Sequence, residues 1–345
     1  MKLILVTASG QFFGQARKPW VSIDTAKLIR NLQERGFEVE LLEFHQLAAQ
    51  AHTLRNEVIF YTYSQLDYLR GYIKDIMLVV SRANRIIPSL ELLLCHENKG
   101  FAELYKRSLG LSEPQAWYLS HSRELAGLQI HYPVVLKTTS GTNAKGVFLC
   151  EDESELRKRL KTLAKPVSLA ARLDSQRRRY LRPGRKYQGY PDFNPVKDAD
   201  QWLEYMRPGS CFVLQEFIPG LDCDYRVIAV QERFYVMKRL TLRGDFRASG
   251  TKHFVFEFTV PEGLLDFAAD VYHRFDTPYL SMDIGHKEGR NHLFEYQALH
   301  FGTAAIVRST GYYQRVVANW EFVETGSGLE ETLAYGLAAY LGKQA

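Results

Sequence analysis

Two short stretches hold the residues best suited to chemistry: Ser281-Met282-Asp283-Ile284-Gly285 and Phe294-Glu295-Tyr296-Gln297. Polar and apolar residues alternate in each, the mark of a strand with one polar face. Glu295 lies twelve residues after Asp283, and Gln297 lies two after Glu295, so the last two share a face. If the strands pair, three oxygen-bearing side chains converge. Hard oxygen ligands on rigid strands suit Mg²⁺, which is held by one or two carboxylates together with substrate phosphates. The alternative, on these residues alone, is a pair of edge-strand acids facing water.

Groups able to hold phosphate lie upstream. Tyr132 to Lys137 reads as a strand that delivers a lysine, Thr138 to Gly146 is a loop of small residues, and Val147 to Cys150 is the return strand. Such a loop can lay backbone N–H groups along a phosphate chain, and the lysine adds a point charge. A plain hairpin with a surface lysine shows the same pattern. Glu97-Asn98-Lys99-Gly100 sets a second lysine in or just before a helix that runs to Leu109 and is capped by Gly110. Phe212 to Ile218 is a strand. Asp222 to Val230 and Phe234 to Leu240 continue it as an antiparallel meander, with Lys238 and Arg239 on the last strand and Arg247 beyond it.

The elements that must position these groups begin with an alternating layout. Strands are expected at 2–7, 37–42, 58–63 and, briefly, 77–80, with helices at 23–34 and 66–75. This is an open parallel α/β arrangement, in which ligands bind at the carboxyl edge of the sheet. No G-x-G-x-x-G follows the first strand, so no dinucleotide site is read. Pro88 breaks the chain before a helix that opens at Leu90, which marks a boundary near residue 95. A charged helix covers 151–164. Lys165 to Gly209 then mixes arginines (Arg172, Arg177, Arg178, Arg179, Arg182, Arg185) with Tyr180, Tyr187, Tyr190, Phe193 and five prolines. It reads as an insertion with little regular structure, either a grip for an anionic group or a solvated basic loop. Helices at 261–274 and 331–341 complete the pattern.

Bulk properties narrow the class. The chain has 345 residues, enough for two or three domains, and its 46% hydrophobic and 24% charged residues are ordinary for a globular protein. No apolar run approaches the roughly 18 residues of a membrane span. The four cysteines have neither metal nor disulfide spacing, which fits reduced thiols and a cytoplasmic location. A net charge of +5 suits anionic small molecules and does not by itself argue for nucleic acid. His96, His253, His292 and His300 are read as structural.

The order of the pieces is more specific than any one of them. An α/β domain, an Asn-Lys helix, a strand-Lys-glycine loop, a Gln-Glu-Phe-Ile strand, an Asp-x-Arg strand, a Lys-Arg strand, a helix, a strand with Asp and a strand with Glu-x-Gln follow in sequence. This order resembles the ATP-grasp superfamily. It is nearest in texture to ligases that join a carboxylate to an amine, such as D-alanine–D-alanine ligase and the enzymes that add glutamate to ribosomal protein. The resemblance covers about residues 84–303. It implies an α/β fold: an N-terminal open parallel domain (1–95), then an ATP-grasp fold of two α+β lobes clasping nucleotide. The first lobe is 96–211, with loop 138–146 and insertion 165–209, and the second is 212–345.

The resemblance also implies roles. Lys99 and Lys137 look like the family lysines on the ATP phosphates, and the loop with Ser140, Gly141 and Gly146 looks like their cover. Gln215 and Glu216 fall at the hinge by the adenine, with the backbone of Phe217 and Ile218 on the base edge. Asp224, or less well Asp222, resembles the acid on the ribose. Lys238, Arg239 and Arg247 resemble the basic groups near the phosphates or acyl-phosphate. Asp283, Glu295 and Gln297 look like the Mg²⁺ ligands, although the family usually has asparagine where Gln297 stands. The implied activity is ATP-dependent carboxylate–amine ligation. The alternatives are phosphotransfer without ligation, or nucleotide binding with weakened catalysis and an anionic polymer or partner. Implied substrates are small, anionic or carrier-linked. Nucleic acid is not an expected partner, and the α/β domain and closing helix offer a homodimer face.

Overall fold

The computed structural model describes residues 1–14, 23–63, 66–141, 146–163, 167–181 and 210–343. Most of the expected insertion, 182–209, and residues 142–145 of the phosphate loop lie outside the described residues.

Strands β1 (Lys2–Thr7), β2 (Glu38–Glu43), β3 (Val58–Tyr61) and β4 (Arg85–Ile87) form a parallel sheet in the order β2-β1-β3-β4. Leu3, Ile4, Leu5 and Val6 are all buried, as both faces of a covered parallel sheet require. The strand expected at 77–80 is not there. Helix α3 runs Asp67–Val80, with Ile73, Ile76, Met77 and Val80 on its buried face at helical spacing. The fourth strand comes after it, at Arg85–Ile87. Four apolar residues in a row do not tell a buried strand from a helix end. Around the sheet are α1 (Thr25–Gln33), capped by the Asp24 side chain on the Lys27 N–H, and α2 (Phe44–Gln50), which the sequence reading passed over. Then come α4 (Leu90–Cys95) and α5 (Lys99–Ser108), the latter capped by Asn98.

A second sheet has the order β5-β8-β6-β7, from β5 (Ala116–Leu119), β6 (Val134–Thr138), β7 (Val147–Cys150) and β8 (Phe212–Glu216). Its core of Val134, Leu136, Phe212 and Leu214 packs with Leu156 and Leu160 of α6 (Glu153–Leu163). The expected insertion is partly helical: α7 (Leu169–Gln176) leads into a wide turn at Arg177–Leu181.

The third sheet has seven strands: β9 (Cys223–Val230), β10 (Arg233–Leu240), β11 (Phe254–Val255), β12 (Tyr279–Lys287), β13 (Arg290–Gln297), β14 (Gly311–Val316) and β15 (Asn319–Glu324). The order is β13-β12-β9-β10-β14-β15, with β11 beside β10. One face buries Val227, Ala229, Phe234, Val236, Met282 and Ile284 with α8 (Leu264–His273). The other carries Ile228, Val230, Tyr235, Met237 and Tyr279 in a core shared with α1 and α10 (Leu329–Gly342). A short helix, α9 (Ala304–Arg308), follows β13. Val317 and Ala318 join β14 to β15; Val317 is 98% exposed and takes φ +57°.

By contacts the chain forms two compact units. One comprises residues 1–116, 140–146 and 218–345, and the other 117–139 and 147–217. The first holds the parallel and seven-stranded sheets. The second is built on the β5-β8-β6-β7 sheet.

Candidate active site

Register decides which side chains meet. Strands β12 and β13 pair antiparallel, Asp283 opposite Glu295 and Ser281 opposite Gln297. Strand β9 sets Arg226 opposite Asp283, and β10 sets Arg239 opposite Asp224. Cross-strand partners share a face, and so do residues two apart. Asp224, Arg226, Arg239, Asp283, Glu295 and Gln297 therefore occupy one face of the seven-stranded sheet. Asp283 lies across from Glu295 on this shared face, with Gln297 two residues further along β13.

A linked set of ion pairs fills the middle of this face. Arg226 donates through Nε and Nη2 to the two Asp283 oxygens at 2.8 and 2.9 Å. Arg239 donates through Nε and Nη2 to both Asp224 oxygens at 2.6 Å, and its Nη2 also lies 2.8 Å from Asp283 Oδ2. Asp283 is 6% exposed and Arg239 3%. Burial works to raise the Asp283 carboxyl, but Arg226 and Arg239 outweigh it and hold it at about 2. Burial pushes Asp224 up against the pull of Arg239, so Asp224 is the first acid of the set to take a proton. Two acids and two arginines balance. Toward the sheet edge, Gln297 Nε2 donates to Glu295 Oε1 at 3.2 Å, which leaves the Gln297 carbonyl to accept.

A second cluster holds the start of the 138–146 loop. Lys99, the first residue of α5, donates to the Gly141 carbonyl at 2.7 Å, and the Gly141 N–H donates to Glu97 at 3.3 Å. Arg70 lies 3.6 Å from the same Glu97 carboxylate. Lys99 thus meets the loop that the resemblance assigns to the same phosphates.

In the other unit, Lys137 pairs with Val213 and Val135 with Gln215, so Lys137 and buried Gln215 share one face of their sheet. Glu216 pairs with Val134 on the opposite face and is exposed. Phe217 and Ile218 follow directly and are partly buried. Ser140 precedes Gly141, and Gly141 and Gly146 bound the part of the loop outside the described residues.

Two expected residues sit elsewhere. Lys238 pairs with Tyr225 on the face opposite Arg239. Arg247 chelates Asp245, two residues before it, at 2.7 and 2.8 Å. Asp224 spends both oxygens on Arg239, whereas Asp222 is exposed. Arg226 joins the polar face without a role implied by the resemblance, although Asp-x-Arg at period two sets Asp224 and Arg226 on one face.

No protein-family model and no curated protein matches the sequence. Solved structures do match over nearly the whole chain. D-cycloserine synthetase DcsG aligns with a TM-score of 0.55 at 12% identity, covering 99% of this chain and 100% of its own. An ATP-grasp RimK domain protein from Sphaerobacter thermophilus gives 0.52 at 12% identity, covering 99% of both chains. The ATP-grasp ligase PsnB, solved with a minimal precursor, Mg and ADP, gives 0.51 at 11% identity, covering 98% of this chain and 96% of its own. This likeness, together with the three sheets and their connections, establishes the architecture: the chain has the fold of the ATP-grasp ligases.

Proposed function

We propose that the protein is an ATP-dependent ligase that joins a carboxylate to an amine through an acyl-phosphate. The observation that carries this reading is the polar face of the seven-stranded sheet. There Glu295 and Gln297 offer hard oxygens beside two arginines fixed by Asp224 and Asp283. On this reading residues 1–95 are the domain that precedes the ATP-grasp lobes, 96–211 the first lobe and 212–345 the second.

The donor set fits one Mg²⁺. Magnesium keeps water and phosphate ligands, so a single protein carboxylate with an amide carbonyl suffices. Glu295 and Gln297 provide these, while the Asp283 oxygens are spent on guanidinium N–H groups. Bound there, the ion would supply charge neutralisation to the ATP phosphates.

The chain's own residues do the rest. Lys99 and Lys137 offset phosphate charge, and the backbone around Ser140 and Gly141 covers the phosphates and excludes water. Gln215 and the backbone of Phe217 and Ile218 hold the base. Arg226 and Arg239, kept rigid by their aspartates, stabilise the charge that develops as the substrate carboxylate attacks the γ-phosphate and ADP leaves. An amine then displaces phosphate from the acyl-phosphate.

A screen of ADP release over paired carboxylates and amines, with ATP and Mg²⁺, tests the reading. Release that requires both partners and yields an amide supports it. Release with a carboxylate or alcohol alone, giving a stable phosphorylated product, replaces it with phosphotransfer. The commitment of Asp283 to two arginines favours, as a second reading, a nucleotide-binding protein with weakened catalysis. Turnover that disappears in Glu295→Ala counts against that second reading.

A further inference from the structure

A small chamber lies at the carboxyl edge of the parallel sheet. Its walls are Phe13 and Gly14 after β1, Tyr61 to Tyr63 at the end of β3, Tyr279 of β12, and Leu299 and His300 after β13. About 10 Å³ of it is open to the centre of a water-sized group, the room that one water needs. Among the described residues, no acid, lysine or arginine lines it. The hydroxyls of two wall residues, Tyr61 and Tyr63, are buried with no hydrogen-bond partner among the described residues. Nε2 of His96, which is not a wall residue, is buried and unpartnered in the same way, and its ring stands edge-on to Tyr63 at 4.4 Å between centroids. A buried polar group without a partner is costly, and an occupant of the right chemistry removes that cost.

His300 adds a base. Its Nδ1 meets the Gly14 carbonyl. A carbonyl only accepts, so Nδ1 carries the proton and Nε2 keeps its lone pair. Burial lowers the His300 pKa, against a smaller upward pull from the Gly14 bond and from Glu97. The other titratable neighbours are His96, at 6.4 Å between ring centroids, and the chamber tyrosines Tyr61, Tyr63 and Tyr279. Arg70, Lys74 and Lys99 act on His96 and help keep it neutral. Two residues beyond His300, Gly302 lies so close to Arg226 that a Cβ there would meet Nη1 at 2.8 Å. The segment that walls the chamber therefore runs directly to the polar face.

We propose that this chamber seats ammonia or the primary amino group of the acceptor as the free base, and that His300 Nε2 takes its proton during attack. The assignment rests on the ligase reading. An amino nitrogen has the size of the opening, can donate to Nε2 and accept from a tyrosine hydroxyl, and would be costly to bury as an ammonium with no carboxylate among the described wall residues. The nitrogen lone pair forms the C–N bond to the acyl carbon. The C–O bond to phosphorus breaks, and phosphate leaves with that electron pair. The proton shed by nitrogen passes to Nε2 and from there to water.

The test compares ammonia with hydroxylamine, a nucleophile already unprotonated at neutral pH, using a carboxylate that supports ADP release. His300→Asn keeps an N–H for the Gly14 carbonyl and removes the base. Ammonia-dependent release should fall about 100-fold near neutral pH and recover as pH rises, while hydroxylamine-dependent release stays within about threefold. Tyr61→Phe, which keeps the ring, should raise KM for ammonia about tenfold with little change in kcat. Equal loss with both nucleophiles in His300→Asn, or an unchanged ammonia rate, overturns the assignment and leaves the ligase reading standing. A wild-type enzyme that releases no ADP with any carboxylate and either nucleophile overturns both.

Discussion

Asp283 and Glu295 face each other across paired strands, yet their neighbours give them different work. Asp283 is enclosed and grips two arginines; Glu295 is half-buried and touched by an amide. Asp283→Ala leaves partly buried Arg226 without a counter-charge and Arg239 with Asp224 alone, so it should cost about 3–5 kcal/mol in denaturant unfolding as well as activity. Glu295→Ala should unfold within about 1 kcal/mol of wild type and still lose ATP turnover. Gln297→Asn should keep or raise turnover, because asparagine offers the same carbonyl one methylene nearer the strand. If Asp283→Ala and Glu295→Ala lose stability equally, this separation of roles is wrong. The alternation of Met282-Asp283-Ile284 and Phe294-Glu295-Tyr296 was enough to predict a shared face. It did not reveal that Asp283 is already taken, because the arginines that take it come from β9 and β10, more than forty residues away.

Elements whose apolar residues kept a clear period were legible, among them α1, β9, β10 and the β12–β13 pair. Short or uniformly apolar segments were not. Met77 to Val80 ends a helix, Arg85–Ile87 is a strand just before Pro88, and the β14–β15 hairpin carries a polar pattern that gives no face away. Helix α10 shows what only packing reveals. Gly336 lies in its middle, where glycine weakens a helix by about 1 kcal/mol relative to alanine. Here the backbone comes so near the sheet that a Cβ would meet Val230 Cγ1 at 2.6 Å and the Pro278 carbonyl at 3.3 Å. Gly336→Ala should therefore destabilise by about 1–3 kcal/mol despite its better helix propensity, measured by thermal or urea unfolding. A stabilised variant would show that the helix can lift away from the sheet at no cost.

At the scale of the whole molecule, buried neutral histidines set the acid limit. Burial lowers His96 and His300 below the ordinary value near 6.5 that both regain on unfolding. The unfolded chain then binds more protons, so their contribution is complete above about pH 6.5 and is lost as pH falls, by up to about 1.4 kcal/mol per pH unit for each histidine. Urea midpoints between about pH 7.5 and 5 should fall accordingly, and His96→Phe should flatten part of that slope. A flat profile in the wild type would mean that both histidines take up protons in the fold as they do in the unfolded chain. The chain also has stability to gain. Val317 is a β-branched residue held at φ +57° in a two-residue turn, a position that glycine takes without strain. Val317→Gly should release about 1 kcal/mol, seen as a rise in Tm. Its exposed tip belongs to β14 and β15, which contribute nothing to the polar face. A variant made sturdier there gives a chassis on which the fragile Asp283 substitution can be purified and its chemistry read apart from its folding.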